Sequence, residues 1–148
     1  MRIVPDTNLL IQGLLFRGTA RKIINLAYEK KVDFYGSANS FNEIKRVVYY
    51  SRFKKYLENE IFSPEKIMIS FKSLITVVSI DSKYKNSKFV ADDADDDEFI
   101  RIAKTVQSKF IISSDKHLKN IKKVDDIRIV EPEIFLKIYP TISGKTFF

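Results

Sequence analysis

The segment that decides the fold runs from Lys109 to Asp115, KFIISSD, and places a short apolar strand directly before a polar turn and an acid. The chain begins in the same way, because the apolar residues 2–4 are followed by Pro5 and Asp6. Short apolar runs closed by turn formers are typical of strands. Both segments are therefore predicted to be strands that end close to an acidic residue.

Strands and helices are predicted to alternate along the rest of the chain. Apolar residues at helical spacing predict helices at 20–29, at 40–49, after Ser63-Pro64, from Asp96 onward and after Pro132. Further strands are predicted at 32–35, 75–80 and 127–130. Strands that alternate with helices pair in parallel through crossover connections, so the predicted fold is a three-layer α/β/α sandwich with a central, mostly parallel sheet. We expect one domain at residues 1–140 and a short C-terminal tail at 141–148.

The composition is that of a globular protein with an excess of positive charge. Hydrophobic residues make up 45% of the 148, and 26 lysines and arginines exceed 19 aspartates and glutamates, which gives a net charge of +7. The sequence has no cysteine, which excludes disulfides, thiolate zinc sites and a cysteine nucleophile. The single histidine, His117, excludes multi-histidine metal sites and is interpreted as a turn residue. Because no apolar run approaches membrane-spanning length, the chain is predicted to be cytoplasmic, with no membrane partner.

Negative charge is concentrated in the acidic stretch Asp92–Glu98, DDADDDE, which precedes a predicted helix. Like charges at this density repel, so solvation, a helix N-terminus or bound cations must offset them. Asp6 and Asp115 follow strands, and Glu43 lies one turn into the helix after the second strand. Ligands of parallel sheets gather at the carboxyl ends of the strands. Carboxylates that converge there indicate a hard divalent cation, Mg²⁺ or Mn²⁺.

Structural interpretations of the same acids stay open. Asp95 and Glu98 have the spacing of a capping box, and acids in a first helical turn complement the helix dipole. Asp6 and Asp115 could each be a turn former, and Glu43 could be a solvated residue on a helix surface. The functional interpretation rests on the conjunction of these acids at one edge of one sheet.

Other acid-rich sites fit the sequence poorly. An EF-hand loop begun at Asp93 would have Glu98 in place of its glycine and Lys104 in place of its bidentate glutamate. An aspartyl-phosphate phosphatase would need an aspartate at position 8, where the chain has Asn8. The sequence also lacks a glycine-rich phosphate loop and a G-x-S-x-G elbow.

The ordered set of motifs resembles the PIN-domain family. The motifs are Asp6-Thr7-Asn8, Glu43, the run Asp93–Phe99 and Ser113-Ser114-Asp115, and the likeness covers nearly the whole chain. The most similar branch is that of the VapC-like nucleases, the toxin components of toxin–antitoxin pairs. Two departures are Ala94, where the family often has proline, and the long, lysine-bearing loop at 81–92.

The resemblance implies a metal-dependent endoribonuclease that hydrolyses RNA phosphodiester bonds with one or two Mg²⁺ or Mn²⁺ ions. Its catalytic acids map onto Asp6, Glu43, Asp96 and Asp115. Asp6, Asp96 and Asp115 would hold metal, and Glu43 would bind it through water or take a proton from the attacking water.

Three further assignments follow from the resemblance. Asp96 is preferred as the third acid because it stands seven residues before Ala103, the family's spacing to a small helix residue. Asp97 is the next candidate for a metal ligand, and Asp93 is a candidate outer-sphere ligand. The site would be oriented by two polar residues, Asn8 and Ser113.

The basic excess fits RNA as a partner, since a positive surface attracts polyanions. Candidate contacts to single-stranded or structured RNA are Arg46, Arg52, Lys54, Lys85 and Lys116. Runs of lysine are also common on faces that are only solvated.

Further partners and two other functions are considered. The toxin branch implies a cognate antitoxin protein, and the family implies a homodimer. One alternative is a catalytically silent PIN-like scaffold that binds RNA or protein, against which the retention of all four acids argues. The other is a structure-specific DNA nuclease, for whose extra helices 148 residues leave little room.

Overall fold

The computed structural model describes residues 1–50, 63–89 and 94–144, without the side chains of residues 50 and 94–96. The described strands are β1 (Arg2–Pro5), β2 (Asp33–Gly36), β3 (Ile75–Val77), β4 (Phe110–Ile112), β5 (Lys123–Val124) and β6 (Ile127–Val130). The described helices are α1 (Thr7–Leu15), α2 (Thr19–Tyr28), α3 (Ala38–Tyr50), α4 (Pro64–Leu74), α5 (Ala94–Val106), α6 (Lys116–Ile121) and α7 (Pro132–Ile142). Arg52, Lys54, Asp93 and the last four residues lie outside the described residues.

The strands form one sheet in the order β3-β2-β1-β4-β6-β5. All neighbouring pairs are parallel except β5 with β6, which are antiparallel. The chain moves outward from β1 to β3 and then returns to β4 on the other side of β1. The strand order therefore reverses between β1 and β4, and in open α/β sheets such a switch point opens a crevice at the carboxyl ends of the strands.

Helices cover both faces of the sheet. Residues of β1 and β4 alternate between two hydrophobic clusters, so that Ile3 and Ile112 belong to one, and Val4 and Ile111 to the other. The first cluster includes buried residues of α1, α2, α3, α4 and α7, and the second includes those of α5 and α6. The predicted three-layer α/β/α fold is confirmed.

Most predicted elements are found, and the differences have physical causes. The strand predicted at 75–80 ends at Val77, because among the described strands it lies at the sheet edge and pairs with β2, which ends opposite at Gly36. The short helix α6 and the two-residue strand β5 were not predicted, since neither is long enough to show a periodic pattern. The turn predicted at His117 was wrong, because this residue lies in α6.

Helix α1 was also missed, and it lies where the sequence indicated turn formers. Asp6 is the N-cap, and its side chain accepts a hydrogen bond from the backbone N–H of Leu9. A turn-forming residue thus starts a helix here, as N-cap residues commonly do. Within α1, a Cβ atom at Gly13 would overlap Ile24, so this glycine permits the close approach of α2.

The last helix, α7, ends at Ile142, and the domain limit at residue 140 stays a prediction. Among the residues that the structure describes, no helix combines the length and apolar character needed to cross a membrane.

Candidate active site

Asp6 lies at the switch point of the sheet and is almost completely buried, with 5% of its surface exposed. It follows β1, and its backbone N–H donates to the carbonyl oxygen of Ile112 on β4 at 3.1 Å. The carboxylate accepts two hydrogen bonds, from Leu9 N–H at 2.8 Å and from Ser113 Oγ at 2.5 Å. These contacts fix the position of both carboxylate oxygens.

Ser113 joins the two aspartates that follow β1 and β4. Its side chain is fully buried, and its hydroxyl donates to Asp6 Oδ2 while accepting a 3.0 Å bond from the backbone N–H of Asp115. The backbone N–H of Ser113 is bound in turn to the carbonyl oxygen of Val130 on β6. The position predicted to orient the site thus contacts both acids.

Asp115 is the N-cap of α6 and is only partly buried. One of its oxygens accepts from the backbone N–H of His117 at 2.8 Å and, at 3.4 Å, from that of Leu118. The interpretation of Asp115 as a turn former therefore corresponds to its role as the N-cap of α6. The two capping bonds go to the same atom, Oδ1, and so they leave the other oxygen out of the cap.

Glu43 comes to the same edge from α3. The hydroxyl of Thr7, the first residue of α1, donates to Glu43 Oε2 at 3.0 Å. Thr7 is buried and Glu43 is partly buried. Their hydrogen bond ties Glu43 to the residue that follows Asp6. It is therefore held by a specific contact and is not simply a solvated residue of the helix surface.

The charges of these three acids are coupled. Burial raises the pKa of Asp6 from 3.8 to about 6, and the hydrogen bonds from Ser113 and Leu9 oppose that rise. The negative charges of Asp115 and Glu43 raise the pKa of Asp6 further. A cation at this edge would offset the repulsion and favour the ionised form of Asp6.

The acidic stretch divides into two parts. Asp96 lies in the first turn of α5, and its side chain is among those that the structure leaves undescribed. The next two acids are buried, with 2% of Asp97 and 8% of Glu98 exposed. Asp97 Oδ1 accepts from the backbone N–H of Phe89 at 2.7 Å, and Glu98 Oε2 accepts from Ser37 Oγ at 2.8 Å.

Arg101 lies one turn further along α5 and faces both buried acids. Its guanidinium is 4.0 Å from Asp97 and 3.7 Å from Glu98, and it donates two hydrogen bonds to the carbonyl oxygen of Ser87. Two buried carboxylates, one partly exposed guanidinium and the segment 87–89 therefore form one network, the α5 network. Buried charges require such partners.

The α5 network explains part of the negative charge in structural terms. The capping-box interpretation of Glu98 was wrong, because α5 begins at Ala94 and the Glu98 side chain bonds to Ser37 at the end of β2. Asp97, a candidate metal ligand, is engaged with the segment that precedes α5. Its metal-binding role stays a prediction.

The first testable prediction concerns the α5 network. Arg101→Met keeps most of the side-chain volume but removes the cation between Asp97 and Glu98. We expect the free energy of unfolding to fall by about 2 kcal/mol, less than for a fully buried pair because the network is partly exposed. Urea denaturation at pH 7 measures the change.

The matched control is Lys31→Met, since Lys31 pairs with Glu29 at 2.8 Å on the exposed surface. This control should alter the unfolding midpoint little. Equal midpoints for the Arg101 variant and the wild-type protein would show that the network does not stabilise α5.

Two cavities flank the acidic edge. The first, of about 380 Å³, is lined by Asp6 and Asp115 together with residues of α1, α6 and α7. The second, of about 250 Å³, is lined by Glu43, Arg46 and residues of α3 and α5. The acids at the switch point therefore lie between two polar spaces that open to solvent.

The acids at this edge supply part of a ligand set for a divalent cation. Among the side chains that the structure describes, which exclude Asp93 and Asp96, no three Asp, Glu or His groups form a cluster that could hold an ion. The two acids at the switch point nevertheless offer hard oxygen ligands, and the raised pKa of Asp6 indicates a place where positive charge is favourable. These residues fit Mg²⁺ or Mn²⁺ provided that the first turn of α5 supplies a further carboxylate.

The three predicted RNA contacts that the structure describes are distributed around this edge, whereas Arg52 and Lys54 lie outside the described residues. Lys116 lines the cavity with Asp6, and Arg46 lines the cavity with Glu43. Lys85 lines a neighbouring groove of about 500 Å³ that shares Arg101 and Glu98 with the second cavity. Asn8, predicted to orient the site, is exposed and lines the first cavity.

Several residues at the edge were given no functional role by the sequence-based prediction. Thr7 contacts Glu43, and Gln12 and His117 line the cavity with Asp6. The positions of Asn8 and Gln12 four residues apart would have placed them on one helix face, had α1 been predicted. The sequence also contained a signal for the pairing of Arg101 with Asp97, because residues of opposite charge four positions apart in a helix are neighbours.

Comparison with known proteins gives two matches. A family model described as a PIN domain matches residues 2–117. The uncharacterized protein MJ1680 of Methanocaldococcus jannaschii is 30% identical over 142 residues, which cover 89% of this chain and 86% of the relative. No solved structure gives a significant match.

Proposed function

The chain belongs to the PIN-domain family, whose members are generally metal-dependent nucleases, and from this premise we propose that it is an endoribonuclease. The proposed reaction is hydrolysis of RNA phosphodiester bonds with Mg²⁺ or Mn²⁺. RNA is favoured as the substrate by the net charge of +7 and by the basic side chains that line the cavities beside the acids.

The single observation that carries the proposal is the buried Asp6 at the switch point. Its pKa is raised to about 6 by burial and by the charges of Asp115 and Glu43. A purely structural role would not need three acids from three elements at one edge. Perturbed acids that line an open cavity are candidates for a functional site.

Asp6, Asp96 and Asp115 would hold the cation in this proposal. A divalent cation bound there would lower the pKa of a bound water molecule and would neutralise charge on the scissile phosphate. The protein would hold Asp6 in place through Ser113 and Leu9, and Asp115 through the N–H groups of α6.

Glu43 would act on the attacking water. The water oxygen forms a bond to phosphorus, the bond from phosphorus to the leaving oxygen breaks, and Glu43 accepts the water proton. Thr7 would keep the carboxylate in position through its bond to Oε2. General-base catalysis requires such placement within hydrogen-bond reach of the proton.

We also propose that the protein is the toxin of a toxin–antitoxin pair. The support is the likeness of its motifs to the VapC-like branch, and the proposed partner is an antitoxin protein that blocks the acidic edge. Co-expression with a chromosomal neighbour that restores growth, while the protein alone arrests it, would support this finer assignment.

The experiment that tests the nuclease is cleavage of a labelled, mixed-sequence single-stranded RNA. We expect cleavage with Mn²⁺ or Mg²⁺, none with EDTA, and none by Asp115→Asn, a variant that excludes contaminating nuclease. Asp126→Asn changes an exposed aspartate remote from the edge and should cleave normally. Binding of the same RNA without metal-dependent cleavage would instead favour a silent scaffold.

A further inference from the structure

We propose that the cavity beside Asp6 and Asp115 is a subsite for a nucleobase next to the cleaved phosphate, with adenine preferred. This inference rests on the proposed nuclease function. It concerns the exposed side chains of Gln12 and His117, which line this cavity together with both aspartates.

The cavity has the size and position expected of a base subsite. It has a volume of about 380 Å³, contains Asp6 and Asp115 in its wall, and does not include Glu43. A nucleotide bound across the acidic edge would therefore place one neighbouring base in this space. Leu9 and Pro132 supply apolar wall, and both are buried.

The lining of the cavity carries groups that can recognise a base. Asn8 and Gln12 present two carboxamides from one face of α1, and His117 presents an imidazole from α6. Unstacked RNA bases are recognised by hydrogen bonds to their edges and by stacking on planar side chains, including histidine. A carboxamide can pair with the N6 and N7 positions of adenine through one donor and one acceptor.

These polar groups are available to a ligand. In the described ranges of the chain, the side chains of Asn8, Gln12 and His117 make no hydrogen bond to other protein groups. Their helices are stabilised by other residues, since Leu9 and Leu118 enter the two hydrophobic clusters. The polar groups can therefore bind a ligand without disrupting the fold.

Adenine is favoured over guanine at the edge that a carboxamide can pair with. Adenine presents there the N6 donor beside the N7 acceptor, which match the oxygen and the amino group of one carboxamide, whereas guanine presents two acceptors, O6 and N7. Lys116 also lines the cavity, and its charge would balance the phosphate of the bound nucleotide.

The test compares cleavage positions in a random-sequence single-stranded RNA for wild type, Gln12→Ala and His117→Ala. For the wild type we expect about a tenfold preference for cleavage beside adenine, within the discrimination that a bidentate base contact supplies. Gln12→Ala should lower that preference at least fivefold. His117→Ala should raise KM for all sequences, since stacking is tolerant of the base.

Asn120→Ala is the matched control, because Asn120 is an exposed carboxamide on α6 that does not line the cavity. It should keep the wild-type sequence preference. An unchanged preference in Gln12→Ala, or a rate lowered equally at every sequence, would overturn the subsite.

A binding measurement separates failure of the subsite from failure of the nuclease. Fluorescence anisotropy of labelled hexamers of adenylate and uridylate, with the wild-type protein in EDTA, reports base preference without cleavage. Tighter binding of adenylate that is lost with an added Gln12→Ala change supports the subsite even if wild type cuts no RNA. Equal binding of both hexamers contradicts it even if wild type is an active nuclease.

Discussion

Asp6→Asn is expected to lower metal-dependent RNA cleavage by on the order of a thousandfold, because it removes a charged metal ligand from the centre of the site. The fold should persist. An asparagine carbonyl oxygen can accept the hydrogen bond that Leu9 N–H now donates to the Asp6 carboxylate. Measurement of kcat/KM on a labelled RNA at saturating Mn²⁺ gives the loss. Wild-type rates in this variant would show that the catalytic acids have been wrongly chosen.

The control for this variant is Asp33→Asn. Asp33 is an exposed residue at the start of β2, at the opposite end of the strand from the candidate site. The same change of charge there should leave kcat/KM close to the wild-type value. A loss shared by both variants would reflect net charge and RNA attraction instead of a specific ligand.

The same substitution should raise the stability of the metal-free protein. The pKa of Asp6 is raised from 3.8 to about 6 in the folded state, so the folded protein binds this proton more tightly than the unfolded chain. The contribution of Asp6 to stability is therefore full below pH 3.8 and is lost as the pH rises through 6. At pH 7 the loss amounts to at most about 3 kcal/mol. Asp6→Asn lacks it.

Urea denaturation in EDTA at pH 5 and at pH 7 would measure this effect. We expect the stability advantage of Asp6→Asn over wild type to be larger at pH 7 than at pH 5. Mn²⁺ should reduce the advantage at pH 7 by binding the folded wild-type protein. A stability difference that is the same at both pH values, or less favourable to the variant at pH 7, would contradict the assigned direction of the pKa shift.

The sheet was predictable from sequence because its strands are short apolar runs closed by turn formers. Phe110–Ile112 is such a run and occupies a central position in the sheet. The limits of the edge strand β3 were not predictable, because they depend on where β2 ends. Helix α1 was missed because Pro5, Asp6 and Asn8 are also common in turns. The hydrogen bond from Leu9 N–H to Asp6 shows that Asp6 caps a helix here.

The candidate site was predictable in its position but not in its internal division. Acids that follow parallel strands must come to one edge, and Asp6 and Asp115 do so. The roles within the acidic stretch were not readable, because neighbouring acids in a helix point in different directions. Asp97 and Glu98 turn toward Phe89, Ser37 and Arg101, contacts that join segments distant in sequence.

Ser113→Ala is expected to lower RNA cleavage by about 10- to 100-fold, the effect typical of groups that orient metal ligands. The Ser113 hydroxyl donates to Asp6 and accepts from Asp115 N–H, and the side chain is fully buried. Its removal leaves both groups without that partner, which should also lower the free energy of unfolding by about 1–3 kcal/mol.

The pH profile separates an orienting role of Ser113 from a structural one. The hydrogen bond from Ser113 lowers the pKa of Asp6, so its loss should move the acidic limb of the activity profile to higher pH. Ser108→Ala is the matched control, because Ser108 is a buried serine before β4 that bonds to Arg2 and Phe110, at the opposite end of that strand. It should lose stability to a similar extent without a shift of that limb. If the two variants have the same pH profile, Ser113 supports the fold but does not set the charge of Asp6.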